Sequence, residues 1–249
     1  MKDKFEFQEV GHKYTLNGKP LTGCTTILGV IAKPALIQWS ANMAVAYIEG
    51  KKNEINEMFK DGGDEAMDNW EKLLKEAKTA HRRKKEDAGQ KGTDVHEIIE
   101  NLIKQAMQLN EGYLDLFKHD NKQVQNFIDW AVNNKVQFLE SEKKMYSKVN
   151  WVAGTVDFTC IMDGKKYVGD IKTSSGIYSR EPFAQCACYR MMLEEMGEKD
   201  FEGSIIINIK KTGVFDEEKD VHFSPYYEDD LKLFLSALSI YRIINNFKK

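Results

Sequence analysis

The chain has 249 residues, enough to bury the core of one large domain or two small ones. Its 42% hydrophobic and 30% charged residues are ordinary for a globular protein, and four Pro with 17 Gly exclude a collagen-like or Pro-rich disordered chain. The net charge of −3 excludes a basic field over the whole molecule, and no apolar run approaches the ~20 residues of a membrane-spanning helix. The first residues lack the pattern of a targeting segment, so we expect none.

One segment departs from the acidic balance. Residues 72–92 carry eight Lys or Arg, Arg82 and Arg83 among them, against three acidic residues. This local surplus can attract phosphate, and it is equally typical of a solvated helix face.

The four cysteines have no paired spacing. Cys24, Cys160, Cys186 and Cys188 include no C-x2-C pair, so a zinc ribbon is not expected. Free thiols of a reducing compartment are the better interpretation.

The first half of the chain is predicted to be a β-hairpin followed by helices. Residues 5–23 show strand-like patterning around the turn dipeptide Asn17-Gly18. Thr25 or Thr26 is expected to cap a short helix. The later elements are a helix opened by Pro34, a loop at 51–66 and helices at 66–87, 93–108 and 121–134.

After residue 135 the sequence becomes rich in Val, Ile, Phe and Tyr, which favours strands. Strands are predicted at 136–148, 151–162, 166–173, 203–210 and 219–224, with helices at 182–196 and 227–246. The order of elements predicts an α/β core.

A tight turn between two of these strands determines how they pair. Asp163-Gly164 is a dipeptide preferred by two-residue hairpins. If it occupies the turn, Met162 pairs with Lys165 and the residue numbers of every pair add up to 327.

That pairing places charged residues opposite one another. Asp157 falls opposite Asp170 and Thr155 opposite Lys172, and alternation brings all four to one face. The other face carries an apolar set: Val156, Phe158, Cys160, Tyr167 and Ile171.

Two opposed carboxylates repel, so a cation is expected between them. Mg²⁺ suits such a site because it prefers oxygen ligands. Lys172 can reach the same place and stabilise a developing negative charge or help to deprotonate a water. The alternative is a surface hairpin in which Lys172 neutralises the two acids.

Five short motifs follow one another over residues 92–210. They are Gly92-Thr93-x-x-His96, a strand Glu at Glu142, Gly154-x-x-Asp157, Asp170-x-Lys172-Thr173 and Gln185-x-x-x-Tyr189. In type, order and spacing this set resembles the RecB-type branch of the PD-(D/E)XK nuclease superfamily. Val156 stands where the superfamily name has Pro, a common variation in this branch.

The resemblance implies a restriction-endonuclease-like core, with a mixed central sheet flanked by helices, over residues 91–249. A β-hairpin and helical region over 1–90 would precede it, the whole forming one compact unit. Thr25-Thr26-Ile27-Leu28 with Trp39 is similar to the region before the core in mitochondrial genome maintenance exonucleases and related phage nucleases.

The resemblance also implies the members of a site that holds one or two Mg²⁺ or Mn²⁺ ions. The implied metal ligands are His96, Asp157, Asp170 and the Ile171 carbonyl. The implied catalytic residues are Asp157, Asp170, Lys172 and Glu142, with Glu140 as the rival of Glu142. The residues expected to position DNA are Gln185, Tyr189, Thr173, Arg82 and Arg83. No iron–sulfur cluster is expected.

The implied function is hydrolysis of DNA phosphodiester bonds by an exonuclease acting on single strands or DNA ends, in replication, recombination or repair. No Walker A pattern is present, so any unwinding would come from a helicase or recombination partner. The expected location is the cytoplasm, or that of a host cell if a phage encodes the chain, without membrane association. The alternatives are a structure-specific endonuclease, a DNA-binding module of the same fold without activity, and an interaction protein whose acidic hairpin is incidental.

Overall fold

The computed structural model describes residues 3–60, 63–211 and 215–246. The chain divides into two units, one made of the residues up to Ile31 together with those from Val95 onward, the other of Ala32–Asp94. This division differs from the predicted boundary at residue 90, because the strands near the N-terminus pair with the main sheet.

The first unit is α/β, with a mixed, open sheet flanked by helices. Its strands are β1 Phe5–Gln8, β2 Lys13–Leu16, β3 Lys19–Gly23, β4 Gln137–Ser147, β5 Val152–Met162, β6 Lys165–Lys172, β7 Phe201–Asn208 and β8 Val221–Ser224. The order in the sheet is β1-β2-β3-β5-β6-β7-β8, and β4 also pairs with β5. The pairs β3–β5 and β6–β7 are parallel, and the others are antiparallel.

The helices confirm several predictions and correct others. They are α1 Cys24–Leu28, α2 Pro34–Gly50, α3 Lys52–Met58, α4 Asp64–Leu109, α5 Lys122–Asn133, α6 Glu181–Glu195, α7 Glu217–Asp220 and α8 Tyr227–Asn246. The predicted threonine cap of α1 is wrong, because Gly23 occupies the N-cap and both threonines lie inside the helix. The predicted strand at 219–224 begins as the end of α7 and continues as β8.

Two further corrections concern the long helical region. The predicted loop at 51–66 contains α3, whose Lys, Glu and Met residues are good helix formers; Asp61 and Gly62 of that loop lie outside the described residues. The helices predicted at 66–87 and 93–108 are one helix, α4. Each glycine in a helix costs about 1 kcal/mol, which is too little to end a helix that contains no proline.

The core of the first unit lies on both sides of the sheet. Residues of α1, α6 and α8 pack with Val168 and Ile206 in one cluster. Residues of α5 and of α4 from Val95 onward pack with Ile205 and Ile207 in a second cluster. Consecutive residues of β7 thus face opposite layers, as strand alternation requires.

All four thiols are buried and free. Cys186 and Cys188 pack in the α6 layer, as predicted, and Cys160 packs in the α5 layer. Within the described ranges, none of the helices has the length and apolar content needed to cross a lipid bilayer.

Candidate metal centre

The β5–β6 hairpin has the predicted turn and register. Asp163 and Gly164 have φ angles of 51° and 74°, the left-handed values that a two-residue turn of this kind needs. The ladder runs from the turn to the pair Phe158–Gly169, and the numbers of each pair add up to 327. The predicted register is therefore confirmed as far as this pair.

Beyond Phe158 the edge of β5 changes partner. The first residues of β5, Val152 and Ala153, pair in parallel with β3, whereas β6 pairs only from Phe158 onward. Within the described part of the chain, residues 154–157 have no ladder partner on this edge, so the sheet forks here. The Asp157 carboxylate accepts the Ile171 N–H at 2.7 Å and so links the two strands across the fork.

Strict alternation along β5, which we predicted, is wrong at this point. Val156 packs in the α6 layer and Phe158 in the opposite one, although two residues apart they were expected to share a face. Gly154 also faces α6, since a Cβ there would lie 2.6 Å from Tyr189 Cε1. The change of face falls at Asp157.

The predicted pairing of Thr155 with Lys172 is also wrong. The ladder ends before it reaches these residues. The Thr155 hydroxyl is instead 2.8 Å from the Tyr14 hydroxyl. Thr155 therefore belongs to the side of the fork that β2 and β3 occupy.

Asp170 is the centre of a buried polar network. Its Oδ2 lies 2.6 Å from Lys172 Nζ, and its Oδ1 accepts a hydrogen bond from Gln185 Nε2 at 2.9 Å. Gln185 also contacts the Tyr189 hydroxyl at 2.9 Å and accepts from Lys172 Nζ at 3.3 Å. Asp170 Oδ2 accepts no well-directed hydrogen bond from the described residues, so this buried oxygen keeps a lone pair for another partner.

The charges of the centre are unbalanced. Burial raises the pKa of Asp170 to about 6, Lys172 opposes this, and the charge of Asp157 adds to it. Burial likewise raises the pKa of Asp157 against the opposing effect of Lys172. Burial alone would lower the pKa of Lys172, but Asp170 and Asp157 outweigh it and raise that pKa. Asp170 pairs with the Lys172 ammonium and the charge of Asp157 acts on the same group, an arrangement that further positive charge would stabilise.

His96 approaches the centre from α4. Its Nδ1 lies 3.7 Å from Asp157 Oδ2. Burial lowers the pKa of His96, which favours the neutral imidazole that can ligate a metal. Glu100 follows one turn later on α4, and its charge raises the pKa of Asp157.

Of the two glutamates considered for the strand before the hairpin, Glu142 and not Glu140 lies beside Asp157. Its neighbours on β4, Ser141 and Lys143, pair with the residues on either side of Asp157, and Glu142 has a left-handed φ of 50°. Burial, followed by the charge of Asp157, raises the pKa of Glu142 to about 7. Glu140 instead pairs with Lys143 at 2.8 Å.

A cleft of about 200 Å³ adjoins these residues. Glu142, Asp157 and Gln185 are among the residues that line it. His12, Tyr14 and Thr155 complete its polar wall, and sequence analysis assigned no site role to His12 or Tyr14. No local signal marks them, because they reach the cleft through the pairing of β3 with β5.

The other predicted site residues are placed as follows. The Ile171 N–H points to Asp157, and its carbonyl points to the same side because both groups of a strand residue face one neighbour. Thr173 directly follows β6 and is half-buried. Arg82 and Arg83 belong to the second unit, where Arg82 is exposed and Arg83 Nη1 donates to Thr79 Oγ1 at 2.8 Å. Their predicted contact with DNA stays a prediction.

The residues of the centre suit a hard divalent cation. Two carboxylates, an imidazole and a backbone carbonyl are ligands that Mg²⁺ and Mn²⁺ accept. Such an ion could bind Asp170 Oδ2, which lacks a well-directed hydrogen bond, and it would offset the excess of carboxylate over ammonium charge. Among the residues that the structure describes, no three His, Cys, Asp or Glu side chains are grouped so that they could hold a metal ion by themselves.

Replacing Glu142 by glutamine is expected to stabilise the metal-free protein at alkaline pH. The raised pKa of Glu142 means that its ionised form is disfavoured on folding, so stability falls as the pH rises from about 4.5 to about 7 and stays lower above that. After allowance for partial exposure, we expect Glu142→Gln to add about 1–2 kcal/mol to the free energy of unfolding at pH 8 and little at pH 4.

Urea unfolding in EDTA at both pH values measures this difference. Glu140→Gln is the matched control on the same strand, and it removes an ion pair with Lys143. It should therefore give no gain at pH 8. An equal gain for Glu142→Gln at the two pH values would contradict the assignment.

Comparison with known proteins places the chain in no family. No protein-family model matches the sequence, and a search of curated proteins finds no relative.

Proposed function

We propose that the chain is a metal-dependent deoxyribonuclease with a PD-(D/E)XK centre on a restriction-endonuclease-like core. One observation carries the proposal: the Asp170 carboxylate lies 2.6 Å from the half-buried Lys172 ammonium, while Asp157, which accepts the Ile171 N–H, lies 3.7 Å from His96. A structural ion pair would need one carboxylate for one ammonium. The second carboxylate and the imidazole are typical of a site that binds a cation and a phosphate.

Asp157, Asp170, His96 and the Ile171 carbonyl are the residues that would hold Mg²⁺ or Mn²⁺. An ion held there would supply Lewis acidity toward the scissile phosphate and toward an attacking water. Glu142 lies opposite Asp157, and its raised pKa in the metal-free protein suits a group that takes up a proton from a water.

Lys172 supplies a positive charge from the protein, in addition to that of a metal ion. Its ammonium group is held by Asp170 and Gln185, so it is oriented before substrate arrives. An oriented cation in a water-poor site stabilises charge that develops on the phosphate oxygens. Gln185 and Tyr189 hold Asp170 and Lys172 in place from α6.

The proposed substrate is a single strand or a DNA end, and the proposed action is that of an exonuclease. The cleft beside Asp157 has about 200 Å³, less than the 300–1,000 Å³ of pockets that enclose drug-sized ligands. A space of that size favours part of one strand over a base pair. Duplex DNA would then be opened by a helicase or recombination partner.

The test is cleavage of DNA labelled at its 5′ or 3′ end and supplied as single strand, duplex or flap. We expect mononucleotides or short oligonucleotides to be released from single strands with Mn²⁺ or Mg²⁺ and nothing to be released with EDTA. Internal cuts at the junction of the flap would favour a structure-specific endonuclease. Binding to DNA without cleavage under any of these conditions would favour a DNA-binding module and overturn the proposal.

A further inference from the structure

Three hydrogen-bonding side chains in the lining of the cleft contact one another in series. His12 Nε2 lies 2.8 Å from the Tyr14 hydroxyl, which lies 2.8 Å from the Thr155 hydroxyl. All three residues line the cleft. The Tyr14 ring is 2% exposed and packs against Phe7, so its hydroxyl has a fixed position.

The number of polar hydrogens on His12, Tyr14 and Thr155 shows what kind of group these three side chains can bind. A neutral imidazole and two hydroxyls carry three polar hydrogens, and the two hydrogen bonds between them use two. Whichever direction the bonds run, at least one hydrogen stays available for a further acceptor. Burial raises the pKa of Tyr14, which keeps its hydroxyl protonated. The wall can therefore donate at least one hydrogen bond to an acceptor group of a ligand.

His12 is held in a backbone conformation that side chains rarely adopt. Its φ is 49°, and it follows Gly11 with a φ of 81° in the loop between β1 and β2. The contact with Tyr14 and an edge-on contact with the Phe7 ring, with centroids 4.9 Å apart, hold the imidazole in place. Left-handed residues cost of order 1 kcal/mol or more and concentrate at ligand sites.

The acidic residues of the cleft determine where an acceptor group can lie. Glu142 and Asp157 repel anions, so an acceptor such as a phosphate is favoured beside the hydrogen-bonding groups of the lining, His12, Tyr14 and Thr155. We propose that these three residues form a subsite for the phosphate that neighbours the scissile phosphate on the same strand. This inference rests on the proposed nuclease function and deepens it, because it assigns the path of the strand through the cleft.

Methylphosphonate scanning tests the subsite. In a series of single-stranded oligonucleotides, one linkage at a time carries a neutral methyl group in place of a charged oxygen. With Mn²⁺, the protein is expected to lose about tenfold in kcat/KM, mainly through KM, when the modified linkage adjoins the cleaved one. On the unmodified strand, His12→Ala and Tyr14→Phe should each lower kcat/KM by a similar factor. On the strand modified beside the cleaved linkage, the kcat/KM of these variants should fall little further.

Tyr146→Phe is the matched control. The Tyr146 hydroxyl donates to Asp3 at 3.2 Å rather than lining the cleft, so its loss should leave every KM unchanged. The subsite is wrong if the His12 and Tyr14 variants have the kcat/KM of the wild type on all oligonucleotides. It is also wrong if the loss of kcat/KM from each variant multiplies with the loss from the methylphosphonate. Neither result would contradict the proposed hydrolysis.

A separate outcome concerns the proposed function itself. If the wild type cleaves no DNA, the nuclease proposal fails, and the same scan is then measured as binding by fluorescence anisotropy in EDTA. The subsite would still be supported if His12→Ala bound the unmodified strand more weakly than the wild type and if, at one linkage, the methylphosphonate weakened binding by the wild type but not by His12→Ala. Equal binding by the wild type and His12→Ala would overturn it.

Discussion

Replacement of Asp170 by asparagine is expected to reduce metal-dependent hydrolysis of single-stranded DNA by about a thousandfold or more. The variant keeps an oxygen for the hydrogen bond from Gln185 Nε2 but loses the negative charge that would bind a divalent ion. It also removes the partner that holds the Lys172 ammonium at 2.6 Å. Initial rates of release of labelled nucleotides with saturating Mn²⁺ measure the loss, and circular dichroism shows that the variant is folded.

The control for this prediction is Asp163→Asn in the turn of the same hairpin. Asp163 has a φ of 51°, which asparagine tolerates, and it lies at the end of the hairpin remote from the fork. Its rate should equal that of the wild type. An Asp170→Asn protein that kept more than about a tenth of the wild-type rate would remove Asp170 from the chemistry.

A large effect on stability is expected from Gly169→Ala. A Cβ at this position would lie 2.0 Å from Phe158 Cε2, and Phe158 is fully buried against Phe127 and Phe138. Because the ring has no space to move into, the strands must separate. We expect a loss of about 3 kcal/mol or more in the free energy of unfolding, at the upper end of the usual effect of overpacking. Urea unfolding at neutral pH measures it.

Gly50→Ala makes the same chemical change where no atom lies within 4 Å of the added methyl group. Gly50 is the last residue of α2, so alanine should be neutral or stabilise by up to about 1 kcal/mol. If Gly169→Ala proved equally harmless, the Phe158–Gly169 contact would not determine how close the two strands lie beside the carboxylates.

The part of the centre that depends on local chemistry could be predicted from the sequence. A two-residue turn leaves little freedom in the pairing of its strands, so Asp163-Gly164 placed Asp157 and Asp170 at the same end of the hairpin. The motif on α6 likewise brings Gln185 and Tyr189 to one side of the helix, where they meet Asp170.

The rest of the cleft depends on contacts that no turn specifies. The parallel pairing of β3 with β5 joins residues such as Thr22 and Val152, which are far apart in the chain, so neither His12 nor Tyr14 shows its role locally. The change of face at Asp157 has the same origin, because β5 follows two different neighbours. The left-handed Glu142 was unpredictable for a further reason, since glutamate has no preference for that conformation.

The fork in the sheet also predicts the order in which its strands pair during folding. The strands that carry Asp157 and Asp170 belong to one hairpin and can associate quickly, whereas Thr22 and Val152 must close a loop of well over a hundred residues. The pairing of β3 with β5 is short and comprises Thr22–Val152 and Gly23–Ala153. We therefore expect the hairpin with Asp157 and Asp170 to form first and the wall with His12, Tyr14 and Thr155 to dock last, so that a partly folded chain holds the two acids before the cleft is complete.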